Sequence, residues 1–267
     1  MMPKNKPSGE RLLLIDISNS FSKIALAQNG ILGRVQKIPT ADLATTKFPT
    51  LRAARAVISS VVPKANQILE QYLKIPLLWV NHTTSGVCIR YPKPATIGAD
   101  RLANTAAAVA LGKLPAIVVD FGTAVTFDII DVTGCYLGGI IAPGLATAAS
   151  ALHERTALLP LTKIQRITSP IGKSTQQAIQ IGLLLGAVGI VREVVARIQR
   201  EIFLHQSPVI IATGGDAKLV ARLTEETGKK IIHIVDPLLT LRGLLVIAEK
   251  NRHFSSGNLR MLAREGA

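Results

Sequence analysis

Residues 12–34 can be laid over residues 116–138 without a gap, and this weak internal duplication constrains the fold more than any other feature of the chain. In each copy an apolar run, Leu12–Ile15 or Ala116–Val119, reads as a buried strand and ends in an aspartate, Asp16 or Asp120. A tight turn of small residues follows, Ser18-Asn19-Ser20 in one copy and Gly122-Thr123-Ala124 in the other. A second strand (23–28 or 125–132), a turn at Asn29-Gly30 or Thr133-Gly134 and a third strand (31–38 or 135–141) complete each meander. Two meanders opened by the same aspartate turn predict two related domains.

Helical periodicity follows each meander. It predicts helices over 63–74, 101–111 and 174–203, the last bent around Gly182, Gly186 and Gly189. Strands at 56–59, 77–80, 208–212 and 230–234 alternate with them. The expected class is α/β: two duplicated domains with mixed sheets flanked by helices, sharing a cleft. The expected boundary near Gly112–Leu114 divides an N-terminal domain, 11–112, from a C-terminal domain, 113–252. Residues 1–10 are expected to be a flexible start and 253–267 a loosely held tail.

Composition excludes some functions. The 267 residues are 48% hydrophobic, which rules out disorder as the main state. No uninterrupted apolar stretch reaches about 20 residues, so no membrane span is expected. A net charge of +14 points to an anionic partner. Aromatics make up only 4% and no RNA- or DNA-binding pattern is present, so nucleic acid is not the expected one. Cys88 and Cys135 have no CxxC or His/Cys ligand spacing, indicating neither a disulfide framework nor a zinc site, and a reducing cytoplasm is expected.

An aspartate at a strand end beside a small-residue turn places a carboxylate next to exposed N–H groups, an arrangement that holds phosphate and a metal ion together. Asp also commonly starts turns, so one copy is weak evidence. Two copies, with a third Gly-rich turn at Ala212–Asp216, carry more weight. Gly172-Lys173-Ser174-Thr175 imitates the end of a P-loop, but position 167 is Ile where that motif needs Gly. Gly98-Ala99-Asp100-Arg101 opens a helix, where Asp100 reads first as a cap and alternatively as a base for an attacking hydroxyl. His82, His153, His205, His233 and His253 show no ligand spacing, and no GxSxG elbow occurs.

Taken together, the segments 16–23, 58–63, 98–101, 119–124, 137–144, 172–175 and 212–216 resemble, in order, the motifs of type III pantothenate kinases. The resemblance spans about residues 11–250. It implies the duplicated fold of sugar kinases and actin, and ATP-dependent phosphorylation of pantothenate to 4'-phosphopantothenate, the first step towards coenzyme A. It also implies that Asp16, Ile17, Ser18, Asn19, Ser20, Phe21, Ser22, Lys23 and Thr123 contact ATP. Asp100 becomes the base, and Tyr91, Gly98, Ala99, Asp100, Arg101 and Thr175 contact pantothenate. Asp120 becomes the ligand of a monovalent cation, potassium or ammonium, while magnesium travels with ATP, with Asp16 its candidate protein contact. A homodimer with sites at the subunit interface is implied as well. The chain departs from the family's first turn, Asp-x-Gly-Asn-Thr, at Ser18 and Ser20. A serine held at positive φ costs of order 1 kcal/mol, so Ser18→Gly is expected to relieve strain. That departure also motivates an alternative, a catalytically weak relative with a regulatory role.

Overall fold

The computed structural model describes residues 10–46, 48, 53–166, 169–204, 206–226, 228 and 230–252. The expected flexible start, apart from Glu10, and the expected tail lie outside the described residues. The chain forms two compact units, one up to Leu111 and again from Leu238 onward, the other Gly112–Pro237.

In the first unit the meander is β1 (Arg11–Ile17), β2 (Phe21–Gln28) and β3 (Ile31–Pro39). The Asn29-Gly30 turn joins β2 to β3 with positive φ at both residues, 53° and 76°, as a tight primed hairpin requires. Then come β4 (Arg55–Ser60), helix α1 (Pro63–Tyr72), short strands β5 (Leu77–Trp79) and β6 (Cys88–Ile89), and helix α2 (Ala99–Ala110). The sheet order is β3-β2-β1-β4-β5, with β1 antiparallel to β2 and parallel to β4. Leu13, Ile15 and Ile17 face a core completed by Ile58 and by Ala65 and Leu69 of α1. Strand alternation therefore puts Leu12, Leu14 and Asp16 on the opposite face.

The second unit repeats the plan with β7 (Ala116–Phe121), β8 (Ala124–Ile130) and β9 (Cys135–Pro143), followed by α3 (Leu145–Arg155) and α4 (Thr175–Glu201). β10 (Val209–Gly214), α5 (Ala217–Glu226) and β11 (Ile234–Val235) follow. Within the unit the strands run in the order β11-β10-β7-β8-β9. Ile117, Val119 and Phe121 pack on Leu184, Val188 and Val191 of α4 and Val220 of α5, so Asp120 again falls on the other face. α4 is one uninterrupted helix, and a Cβ at Gly182, Gly186 or Gly189 would point into open space. It is long and apolar enough to cross a membrane, yet here one face of it builds the core.

The last helix, α6 (Leu239–Lys250), departs from the expected 113–252 domain by packing on α2 in the first unit. Gly243 lies so close to the Ala103 backbone that a Cβ has no room. Thr240 Oγ1 donates to the buried Asn104 Oδ1 at 2.9 Å. Arg55 of β4 donates to the carbonyls of Asn251 (2.7 Å) and Ala248 (2.9 Å), covering the otherwise unmet C-terminal end of the helix. Helical periodicity shows that such a helix is buried, not which sheet it is buried on. The cysteines depart from expectation too, since neither is a free thiol.

Candidate active site

Asp16, 3% exposed, sits at the penultimate position of β1. Strand register places Ser59 of β4 on one side of it and Lys23 of β2 on the other, with Lys37 of β3 next beyond Lys23. The row Ser59, Asp16, Lys23, Lys37 crosses one face of the sheet, because residues paired in register point the same way. The exposed Phe21 ring shares that face, and Lys37 Nζ stands 4.0 Å from its centroid. Ile17 and Ser22 are buried on the opposite face, Ser22 Oγ sharing a hydrogen bond with Thr40 Oγ1, so either could meet a ligand only through its backbone. Asn19 and Ser20 are exposed at the turn tip.

Ser18 corrects the strain expectation. Its N–H donates to Phe21 O at 3.1 Å and its carbonyl accepts from Thr40 Oγ1 at 2.7 Å. Among the described residues only Asn29 and Leu204 are non-glycines at positive φ. With no unfavourable backbone state to relieve, the expected benefit of Ser18→Gly lapses.

Three residues separate β1 from β2 (18–20), but only two separate β7 from β8 (122–123). The gapless alignment therefore loses one residue at this turn, and Asp120 pairs with Thr126 where Asp16 pairs with Lys23. The other register neighbour of Asp120 is Thr213 of β10. Thr213 is fully buried and its Oγ1 has no hydrogen-bond partner. Gly214 holds φ +93°, and a Cβ there would come within 2.6 Å of Asp120 Oδ1 and 2.5 Å of Phe121 O; only glycine combines that backbone with that closeness. Thr123 presents an exposed side chain, while its carbonyl accepts from Gly144 N (3.0 Å) and Thr147 Oγ1 (2.6 Å), fixing the turn.

Asp100 is the second residue of α2, after the N-cap Gly98 and Ala99. Its Oδ1 accepts from the Arg101 N–H at 2.8 Å, which supports the capping reading. Burial pushes its pKa above 3.8, against the lowering pull of that N–H and of the Arg101 guanidinium. Gly98 provides the space, since a Cβ there would lie 2.5 Å from Asp100 Oδ1. Tyr91 is partly exposed. Thr175 opens α4, where Ser174 Oγ accepts from Gln177 N (3.3 Å) and Gln177 Oε1 accepts from Lys173 N (2.8 Å). The Gly172–Thr175 stretch is thus a helix N-cap rather than a phosphate loop.

Sequence reasoning singled out Asp16, Lys23, Asp120 and Asp100 and the segments 58–63 and 212–216, but gave no role to Ser59 or Thr213 within those segments and passed over Lys37. All three gain meaning only through register with strands that are distant in sequence. Around Asp120 the donors are oxygens, which suit a hard or monovalent cation. Among the described residues no group of three His, Cys, Asp or Glu side chains forms a metal cluster.

A family model described as type III pantothenate kinase matches residues 12–197. The chain is 41% identical over 245 residues to the type III pantothenate kinase of Methylacidiphilum infernorum, covering 89% of this chain and 88% of that protein. The Akkermansia muciniphila protein of the same name is 41% identical over 90% of this chain and 98% of its own length. Among solved structures, a Campylobacter jejuni protein titled a conserved putative Baf family transcriptional activator superimposes with TM-score 0.62 at 21% identity, covering 91% of this chain and all of its own. MreB 5 of Spiroplasma citri, bound to AMPPNP, gives 0.52 at 9%, covering 92% of this chain and 98% of its own. These two show that the fold is actin-like.

Proposed function

The chain belongs to the type III pantothenate kinase family, and from that premise we propose how its own residues carry out the phosphorylation of pantothenate that begins coenzyme A synthesis. The hydroxyl of pantothenate gives its proton to the Asp100 carboxylate as its oxygen bonds to the γ-phosphorus of ATP. The bond from that phosphorus to the β–γ bridging oxygen breaks, and ADP leaves with the electron pair. Asp100 then returns its proton to solvent. The observation that carries this role is a carboxyl held at a helix N-terminus by one N–H and raised in pKa by burial, which makes it a stronger base than an ordinary aspartate.

Asp16 to Lys23, with Thr123, contact ATP in this reading. The Lys23 and Lys37 ammonium groups and the N–H groups of the turn neutralise phosphate charge. Tyr91, Gly98, Ala99, Arg101 and Thr175 hold pantothenate, with Arg101 facing its carboxylate. Asp16 would be the protein contact of the magnesium bound with ATP, which would offset phosphate charge. Asp120 would hold a potassium or ammonium ion, which would supply positive charge to offset that of the phosphates. The orphaned Thr213 hydroxyl beside Asp120, and the close approach of Gly214 to Asp120 Oδ1, support that placement.

The assembly is a homodimer and the compartment the cytoplasm, where both substrates are found; the cysteines no longer support the latter. The second unit exposes Ile141, Leu158, Leu161, Ile171 and Leu185, which supports burial against a second copy. Nucleic acid and membrane have no place in this reading. The regulatory alternative rested on the departure from the family turn at Ser18, and the turn removes only the strain part of that motive. The test is ADP release coupled to a spectrophotometric assay, with pantothenate present or absent, in potassium and in sodium. Pantothenate-dependent release that is faster in potassium is expected. Release that does not depend on pantothenate would overturn the reading.

A further inference from the structure

We propose that Thr213 is a second protein ligand of the monovalent cation, its hydroxyl oxygen joining the Asp120 carboxylate. The inference rests on the placement of that cation at Asp120. A hydroxyl with no exposure and no partner is costly, and native proteins retain one where a water, an ion or a ligand satisfies it. Thr213 is the register neighbour of Asp120 on the parallel strand β10, so both side chains rise from the same face of the sheet. The next residue, Gly214, lets Asp120 Oδ1 come so close to the end of β10 that a Cβ there would lie 2.6 Å from it.

The duplication supplies an internal comparison. In the first copy the same register position beside Asp16 holds Ser59, again fully buried with an unpartnered hydroxyl. There the place across from the hydroxyl is taken by Lys23, a cation built into the chain; in the second copy it is taken by Thr126, which brings no charge. One half thus carries its positive charge covalently, and the other offers oxygen donors. Potassium is bound by exchanging its hydration water for neutral and anionic oxygens, and a threonine oxygen has lone pairs to give.

The experiment is thermal unfolding of the full chain with saturating magnesium and AMPPNP, in potassium chloride titrated against sodium chloride at constant ionic strength. The wild type is expected to unfold at a higher temperature in potassium, and Asp120→Asn to lose that difference. Thr213→Val keeps the shape but removes the oxygen. It should raise the potassium concentration needed for half of the shift by about 10–100-fold, while Thr213→Ser and Ser59→Ala keep the wild-type value. In sodium alone Thr213→Val should unfold no earlier than wild type, because it replaces a buried hydroxyl that has no partner. Should Thr213→Val fail to fold, Thr213→Ala gives the same comparison. A wild-type potassium shift retained in Thr213→Val or Thr213→Ala would overturn the Thr213 assignment while leaving Asp120 in place. A Thr213→Val protein already weakened in sodium would also overturn it, by showing that the hydroxyl has a structural partner. A wild type that does not distinguish the two salts would bring down the Asp120 reading and this inference with it.

Discussion

Burial and charge pull on the Asp100 carboxyl in opposite directions, and burial wins. The folded chain therefore holds the proton of Asp100 more tightly than the unfolded chain does. The resulting contribution to stability is present at low pH and is lost as pH rises from about 3.8 through the folded value. Asp100→Asn cannot ionise and can still accept from the Arg101 N–H, so it should unfold at a higher temperature than wild type at pH 7, the difference shrinking towards pH 3.8. Its turnover should fall about 10²–10⁴-fold, the contribution of a positioned base. In the wild type the acid limb of kcat should lie above 3.8. Near-normal turnover in the variant would leave Asp100 a cap and nothing more. The same residue shows what a sequence can disclose. Asp16, Asp100 and Asp120 were legible because each lies beside its own turn or helix start, within a few residues. Ser59, Lys37 and Thr213 were not, because their significance lies in which residue stands across the sheet, and register is set by packing between distant segments.

At the scale of elements, the start of α2 is a tight fit. Gly98 has φ −57° and ψ 141°, values open to any residue, so Gly98→Ala adds no backbone strain. It does add a methyl 2.5 Å from Asp100 Oδ1, which must turn away. Turnover should drop by about 10²-fold, as small misplacements of reacting groups do, while circular dichroism and the unfolding midpoint stay close to wild type. At the other end of the same unit, Arg55→Met removes two charged hydrogen bonds from the end of α6. It should cost about 2–3 kcal/mol in denaturant unfolding, with amide exchange in α6 accelerating first. The meanders, their turns and helices α1, α2 and α4 were legible from period and turn chemistry. The allegiance of α6 was not, since amphipathicity gives a helix a buried face without naming its neighbour.

For the whole molecule, the testable quantity is the number of chains in the assembly. Leu158, 91% exposed, is the most exposed of the apolar side chains named above on the second unit. If Leu158 lies in the dimer contact, Leu158→Asp should halve the mass by light scattering at concentrations where wild type is dimeric; a wild-type monomer would end the homodimer reading.

The return of α6 to α2 also sets an order of events on the ribosome. The second unit emerges as one unbroken run, 112–237, whereas the first emerges without the helix that closes it. At about 5–20 residues per second the nascent first unit waits on the order of ten seconds with the α2 surface beneath Gly243 and the Arg55 guanidinium uncovered. A premature stop codon shortly after Pro237 would spare every residue assigned here to ATP, pantothenate or cation, and would still deny the first unit its closing helix.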